Sequence, residues 1–362
     1  MMLEPFKEVW LADFEFKALP GERPIPHCLV AMEYRTKRRI RLYGEQLTKL
    51  KQAPFNVGAD SLFVAFYASA EFGCFRALGW PLPIHVLDLF AEFRALWNGR
   101  RPKDGFSLIS ALTLHGLDHI DVVEKEEMRA LAMRGPSTNE EYVALTDYCQ
   151  TDTDALDKLL PRMEPNLDVA GRVVMRGGYM KSLAEMEWVG VGLDTQLLEA
   201  FRADWPVLQQ RLVDRINPYY GVFDGIHFRF ARFQEWLTRH GISWPRTGTG
   251  RLSTDDDTFR EMSKLHPAIS PLHELKATLG KMRLQALEVG ADGRNRTMLS
   301  AYRASSGRNA PSSKKFIFGP AVWLRGLIRP KPGFALAYID FMSEEFGIGA
   351  VLSGDGNMDS SL

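Results

Sequence analysis

The chain has 362 residues, enough for two or three domains that each bury a core, and its 45% hydrophobic and 25% charged residues exclude a disordered tail, a coiled coil or a small disulfide scaffold. Three widely spaced cysteines, Cys28, Cys74 and Cys149, form no CxxC pair, which speaks against a disulfide framework or a thiolate zinc site and suits a reducing cytoplasm. The acidic N-terminus is no signal peptide, and no apolar run approaches the roughly 18 residues of a membrane span, so no membrane partner is expected.

The first part reads as an α/β domain over residues 1–165. Residues 8–16 (EVWLADFEF) are strand-like, with 27–35 (HCLVAMEYR) and 38–44 (RRIRLYG) as antiparallel companions across a Gly/Pro turn. Residues 61–68 (SLFVAFYA) form a fourth strand leading into 71–79 (EFGCFRALG), whose helical spacing stops at Gly79, and 84–97 (IHVLDLFAEFRALW) repeats the strand-to-helix unit. An STNE capping box at Ser137 opens a long helix to Met163, and Pro161 and Pro165 mark a boundary. Residues 166–301 are mostly helical, as in 193–216 and 231–242, with a Gly/Thr-rich break at 244–259. Trp236, Trp244 and Trp323 have the spacing of core tryptophans rather than of a base-stacking site. Residues 302–362 are loop-like until a short apolar strand at 333–341 (GFALAYIDF) and a helix at 344–354.

Basic and acidic residues balance at 45 each, but unevenly along the chain. Between residues 294 and 331 lie nine cations (Arg294, Arg296, Arg303, Arg308, Lys314, Lys315, Arg325, Arg329, Lys331) and no acid; beyond them come five acids (Asp340, Glu344, Glu345, Asp355, Asp359) and no cation. A tract suited to phosphates thus meets one suited to divalent cations. The plain alternative is a solvated basic face followed by an acidic tail.

Asp13 and Glu15 stand at i and i+2 of the first strand, so both carboxylates leave one face and repel unless a cation lies between them. Glu71 follows the fourth strand, and Tyr148 and Asp152, at i and i+4, share one face of the closing helix. Asp88 is the reserve acid for Glu71, with capping of a helix as its other role. There is no HExxH, no GxxxxGK[ST] and no complete dinucleotide fingerprint.

This set, a strand DxE, an acid after the next core strand and a helical YxxxD within LTDYCQTDTDALDKL, resembles the three motifs of DEDDy-type 3′-5′ exonucleases in the proofreading domain of family A DNA polymerases, the DNA polymerase I-like group of phage type. The resemblance implies an RNase H-like α/β fold and a site for two Mg²⁺ (or Mn²⁺) ions. In it Asp13 bridges both ions, Glu15 and Asp152 complete the first, Glu71 holds the second, and Tyr148 orients the attacking water on a single-stranded 3′ DNA end. The second motif departs from the family, with Tyr67 and Ala70 ahead of a Glu where Asp is commoner.

Residues 331–355 (KPGFALAYIDFMSEEFGIGAVLSGD) resemble the first palm motif of family A polymerases, with Asp340 as metal ligand and Glu345 as sugar gate. SSGRNAPSS resembles the loop whose Arg308 contacts primer-template DNA, and Arg303, Lys314, Lys315 and Arg325 are expected to join it. Residues 166–301 then correspond to the thumb and 302–362 to the start of a palm. A fingers helix and a second palm carboxylate do not follow Asp340, so the chain alone is not expected to polymerise DNA. The leading expectation is a metal-dependent 3′-5′ exonuclease joined to a primer-template-binding module, in the cytoplasm of a bacterium or phage-infected cell. The alternatives are half of a split polymerase completed by a polypeptide carrying the fingers and remaining palm, or a non-catalytic DNA-binding product.

Overall fold

The computed structural model describes residues 3–100, 102–118, 122–168, 170–281, 284–319 and 322–359. Five strands, β1 (Glu8–Lys17), β2 (Ile25–Glu33), β3 (Arg39–Tyr43), β4 (Ser61–Ala65) and β5 (His85–Asp88), form one mixed sheet in the order β3-β2-β1-β4-β5. β2 is antiparallel to β1 and β3, whereas β4 is parallel to β1 and β5. A short helix α1 (Gly44–Thr48) follows β3; α2 (Ala68–Leu78) crosses from β4 to β5, and α3 (Leu89–Leu96), α4 (Leu108–Leu114), α5 (Val122–Arg134) and α6 (Asn139–Met163) follow.

Period-two alternation sorts the side chains onto two faces. Trp10, Ala12 and Phe14 of β1 join Phe63 of β4 and Phe72 and Phe75 of α2 in one core. Val9 and Leu11 join Leu62 and Val64 of β4 and Leu156, Leu159 and Leu160 of α6 in the other. Asp13 and Glu15 continue the Val9–Leu11 row, so the strand that builds the second core also delivers two acids beside α6. Thr153 of α6 donates to the Val30 carbonyl, and the Cys149 thiol donates to the carbonyl of Asp13 at 3.1 Å, fixing helix against strand.

Local signals explain the element ends. Gly79 stops α2 in the left-handed region at φ 73°, where its N–H reaches the Arg76 carbonyl. The box opening α6 sits one residue later than the STNE reading. Thr138 is the cap, its hydroxyl accepting from Glu141 N–H, while the Glu141 carboxylate accepts from Ser137 N–H at 2.7 Å. Pro161 does not end the helix. In the last turn it forfeits one hydrogen bond, and burial of Leu159, Leu160 and Met163 outweighs that loss.

Helix α7 (Ala170–Val189), read from the sequence as part of the helical region, packs on the sheet, with Val173 in one core and Met180, Leu183 and Ala184 in the other. Its Gly177 crosses β5 so closely that a Cβ there would lie 2.0 Å from the Val86 carbonyl oxygen. Beyond it, α8 (Thr195–Tyr220), α9 (Phe230–Arg239), α10 (Asp256–Leu265) and α11 (Ser270–Lys281) enclose a core containing Phe233, Trp236, Trp244 and Phe259. Trp323 is half exposed against Phe201 and Trp205.

The strand expected at 333–341 does not form. The segment has no regular secondary structure and is exposed, with Phe334, Tyr338, Ile339 and Phe341 facing outward, and α12 (Glu344–Ser353) and the one-turn helix α13 (Gly356–Asp359) follow. An isolated strand has nowhere to place its backbone donors and acceptors, and no neighbouring strand is paired with it among the described residues. No helix among the described residues is long and apolar enough to cross a membrane.

Candidate metal centre

Asp13, Glu15 and Asp152 each offer a carboxylate oxygen, and these atoms lie within 4.8 Å of one another. Two come from adjacent same-face positions of β1 and the third from α6, packed across that face. A β-bulge between Glu15 and Phe16 interrupts the β1–β2 register immediately after the second acid. Glu71, in the first turn of α2, is outside that trio but acts electrostatically on Asp13. It is 4% exposed; one carboxylate oxygen accepts from the Phe14 backbone and the other has no partner.

The electrostatics are those of acids gathered without compensation. Burial, then the charges of Glu71, Asp152 and Glu15, hold the Asp13 carboxyl well above the ordinary range. Burial and Asp152 push Glu15 to about 8. Glu71 is raised by burial and by Glu15, and Asp152 by burial. Asp13 Oδ2 and Glu71 Oε2 are shielded from solvent and accept no hydrogen bond. Two orphaned buried carboxylate oxygens beside a close trio of acids form a hard, oxygen-rich donor set, and this set fits Mg²⁺ or Mn²⁺.

Tyr148 is buried and donates its hydroxyl to Asp152. Burial and the neighbouring carboxylates raise its phenol far above the ordinary value, so it remains a donor throughout the working pH range. Two cations absent from the sequence reading face the cluster: Lys125 and Arg129, at i and i+4 of α5, counteract the upward shifts of Glu15 and Asp152. Lys125 also shares with Asp152 a cavity of about 280 Å³ between α4 and α6. An EKEEMR string carries no strand or motif signal, and only docking of α5 reveals the role of these two residues.

Asp88 is spent on capping. Its carboxylate accepts from the N–H groups of Phe90 and Ala91 at the start of α3 and of Tyr67 and Ala68 at the start of α2. It thereby holds Tyr67 in a left-handed conformation, φ 77°, and with it the turn that aims Glu71 into the site.

The remaining sequence candidates lie elsewhere. Asp340 sits on the exposed 333–341 segment, outside the one acidic trio found among the described residues. Glu345 forms an exposed ion pair with Arg308. Lys315 pairs with Glu288 at 2.7 Å, the Arg325 guanidinium lies 5.4 Å from the Phe318 ring centre, and Arg303 and Lys314 are exposed.

The architecture is that of a mixed α/β protein with a DNA polymerase-like fold. Among solved structures the chain is similar to the POL domain of Pol1 from M. smegmatis, determined in complex with DNA primer-template and dNTP, with a TM-score of 0.62 over 96% of this chain at 16% identity. The chain spans 60% of the length of that structure. No protein-family model matches the sequence, and no curated protein matches it.

Proposed function

We propose that the protein is a divalent-metal-dependent 3′-5′ exonuclease acting on DNA ends, its five-stranded sheet being RNase H-like, joined to a helical, thumb-like region and a palm-like segment that hold primer-template DNA. The proposed units follow the spans 1–165, 166–301 and 302–362, with α7 serving as a shared wall. The observation that carries the reading is the convergence of Asp13, Glu15 and Asp152, with Glu71 and Tyr148 beside them, from three separate stretches of chain. The polymerase-like fold, shared with a protein solved on primer-template DNA, supports DNA as the substrate.

In this reading Asp13, Glu15 and Asp152 would hold one ion, and Glu71, beside Asp13, would help to hold a second. Divalent ions bound there would supply Lewis-acid polarisation of the phosphodiester. The protein's own part is positional. Buried walls keep the carboxylates desolvated and strongly attractive to cations, and Lys125 and Arg129 bring positive charge to the rim where a phosphate arrives. Tyr148, being protonated, orients water or a phosphate oxygen by donation and does not act as a base. The products are nucleoside monophosphates.

The test is digestion of a 5′-labelled single strand with Mg²⁺ by the parent and by Asp13→Ala. Stepwise shortening from the 3′ end that the substitution removes supports the reading; equal shortening by both proteins refutes it. One observation favours a second reading, a split polymerase: the apolar 333–341 segment carrying Asp340 is uncovered and unpaired. That reading requires a polypeptide supplying the fingers and remaining palm to confer nucleotide incorporation when mixed with this chain.

A further inference from the structure

A second cavity, of about 370 Å³, opens where the loop after α3 meets the loop after Tyr302. Arg94, Arg100 and Arg303 line it together with Trp97, Asn98 and Phe106, and among the described residues no carboxylate is in its wall. Its two sides are tied by a hydrogen bond from the Asn98 amide to the Ser305 carbonyl at 2.9 Å. Arg94 is held in place by stacking, its guanidinium 4.8 Å from the Phe90 ring centre and 4.3 Å from that of Phe106. Its Nε is shielded from solvent and donates to nothing. None of the three arginines forms an ion pair among the described residues, whereas Arg39, Arg176, Arg296 and Arg329 each do.

Three like charges around one hollow repel one another, and a fixed guanidinium with an unused shielded donor is costly unless something accepts from it. The ligand that relieves both is an oxyanion able to take several N–H donors at once, and guanidinium forks match the geometry of phosphate. Arg303 lies within the acid-free run of cations between residues 294 and 331, which extends the same positive surface beyond the cavity. We propose that this hollow is a phosphate-oxyanion site that takes backbone phosphates of a DNA strand, separate from the carboxylate centre. The choice of DNA as the source of the phosphate rests on the function proposed above.

The experiment compares the parent, Arg100→Ala/Arg303→Ala and a charge-matched control, Lys7→Ala/Lys51→Ala. Each is checked for an unchanged melting temperature and titrated with a fluorescent single-stranded oligonucleotide and with primer-template duplex across a salt series in EDTA. A parallel calorimetric titration uses inorganic phosphate. Both replaced arginines are exposed, so folding should survive. The arginine pair is expected to weaken DNA binding about tenfold or more and to lower the slope of log K against log salt by roughly 1.4 to 1.8, with the lysine control near the parent. If the parent binds DNA and the arginine variant matches it, the site is refuted while the functional reading stands. If the parent binds no DNA, both fall. Loss of inorganic phosphate binding with an unchanged DNA slope assigns the hollow to a small anion and also overturns the proposal.

Discussion

Replacing Glu15 by glutamine isolates the electrostatic cost of the acidic cluster. The Glu15 carboxyl is held at about 8 against an ordinary 4.5, so the fold favours its protonated form. For an acid raised in this way, the favourable contribution is complete below pH 4.5 and disappears as pH rises through 8. At about 1.4 kcal/mol for each pH unit between the two values, the full cost of charging Glu15 in the folded protein is at most about 5 kcal/mol. Solvent reaching the cleft reduces it to about 2–3 kcal/mol. Urea unfolding in EDTA should therefore show the parent losing stability between pH 5.5 and 8.5, whereas Glu15→Gln, neutral throughout, loses about 2–3 kcal/mol less over the same interval. Relief of the repulsion that the Glu15 charge exerts on Asp13 and Glu71 acts in the same direction. Saturating Mg²⁺ at pH 8.5 should restore the parent by about 2.7 kcal/mol at a hundredfold excess over Kd, and the variant by clearly less. A parent equally stable at both pH values in EDTA, or a variant that gains nothing over it at pH 8.5, would refute the account of the site as desolvated, mutually repelling carboxylates awaiting cations.

Other outcomes follow from the same structure. Lys125→Ala removes a charge that lowers Glu15 and Asp152, so the acidic limb of the pH profile for strand shortening should move to higher pH by a few tenths; a profile that stays in place argues against their proximity. Asp88→Ala leaves four backbone N–H groups at the starts of α2 and α3 without an acceptor and should cost about 2–4 kcal/mol in urea unfolding, with Asp88→Asn losing less. Gly177→Ala forces a methyl group to within 2.0 Å of the Val86 carbonyl, so α7 must lift from β5, at about 2 kcal/mol or more by the same measurement.

What the sequence made legible was local. The alternation in β1 placed Trp10, Ala12 and Phe14 opposite Val9 and Leu11, and the same period carried Asp13 and Glu15 to one face. The four-residue interval in α6 aligned Tyr148 with Asp152, and Gly79 marked a helix end by its freedom at positive φ. What stayed hidden depended on distant packing. Lys125 and Arg129 acquire meaning only when α5 docks beside β1, and Asp88 reads as one cap until the fold shows it serving two helices. The strand pattern of 333–341 was clear, but a strand is completed by its neighbours, and alternation in one segment says nothing about whether they are present.

Helix α7 is structurally common property. One end is rooted in both cores of the sheet, and the other runs through Gly190 into the short ladder that Val191–Gly192 forms with Arg294–Asn295. A protease nick between α6 and α7 would thus free no self-sufficient piece: the sheet would be stripped of its lid, and the lid left with its greasy side bare. Melting should accordingly be concerted across the sheet and this rod, so that a calorimeter records them as a single peak.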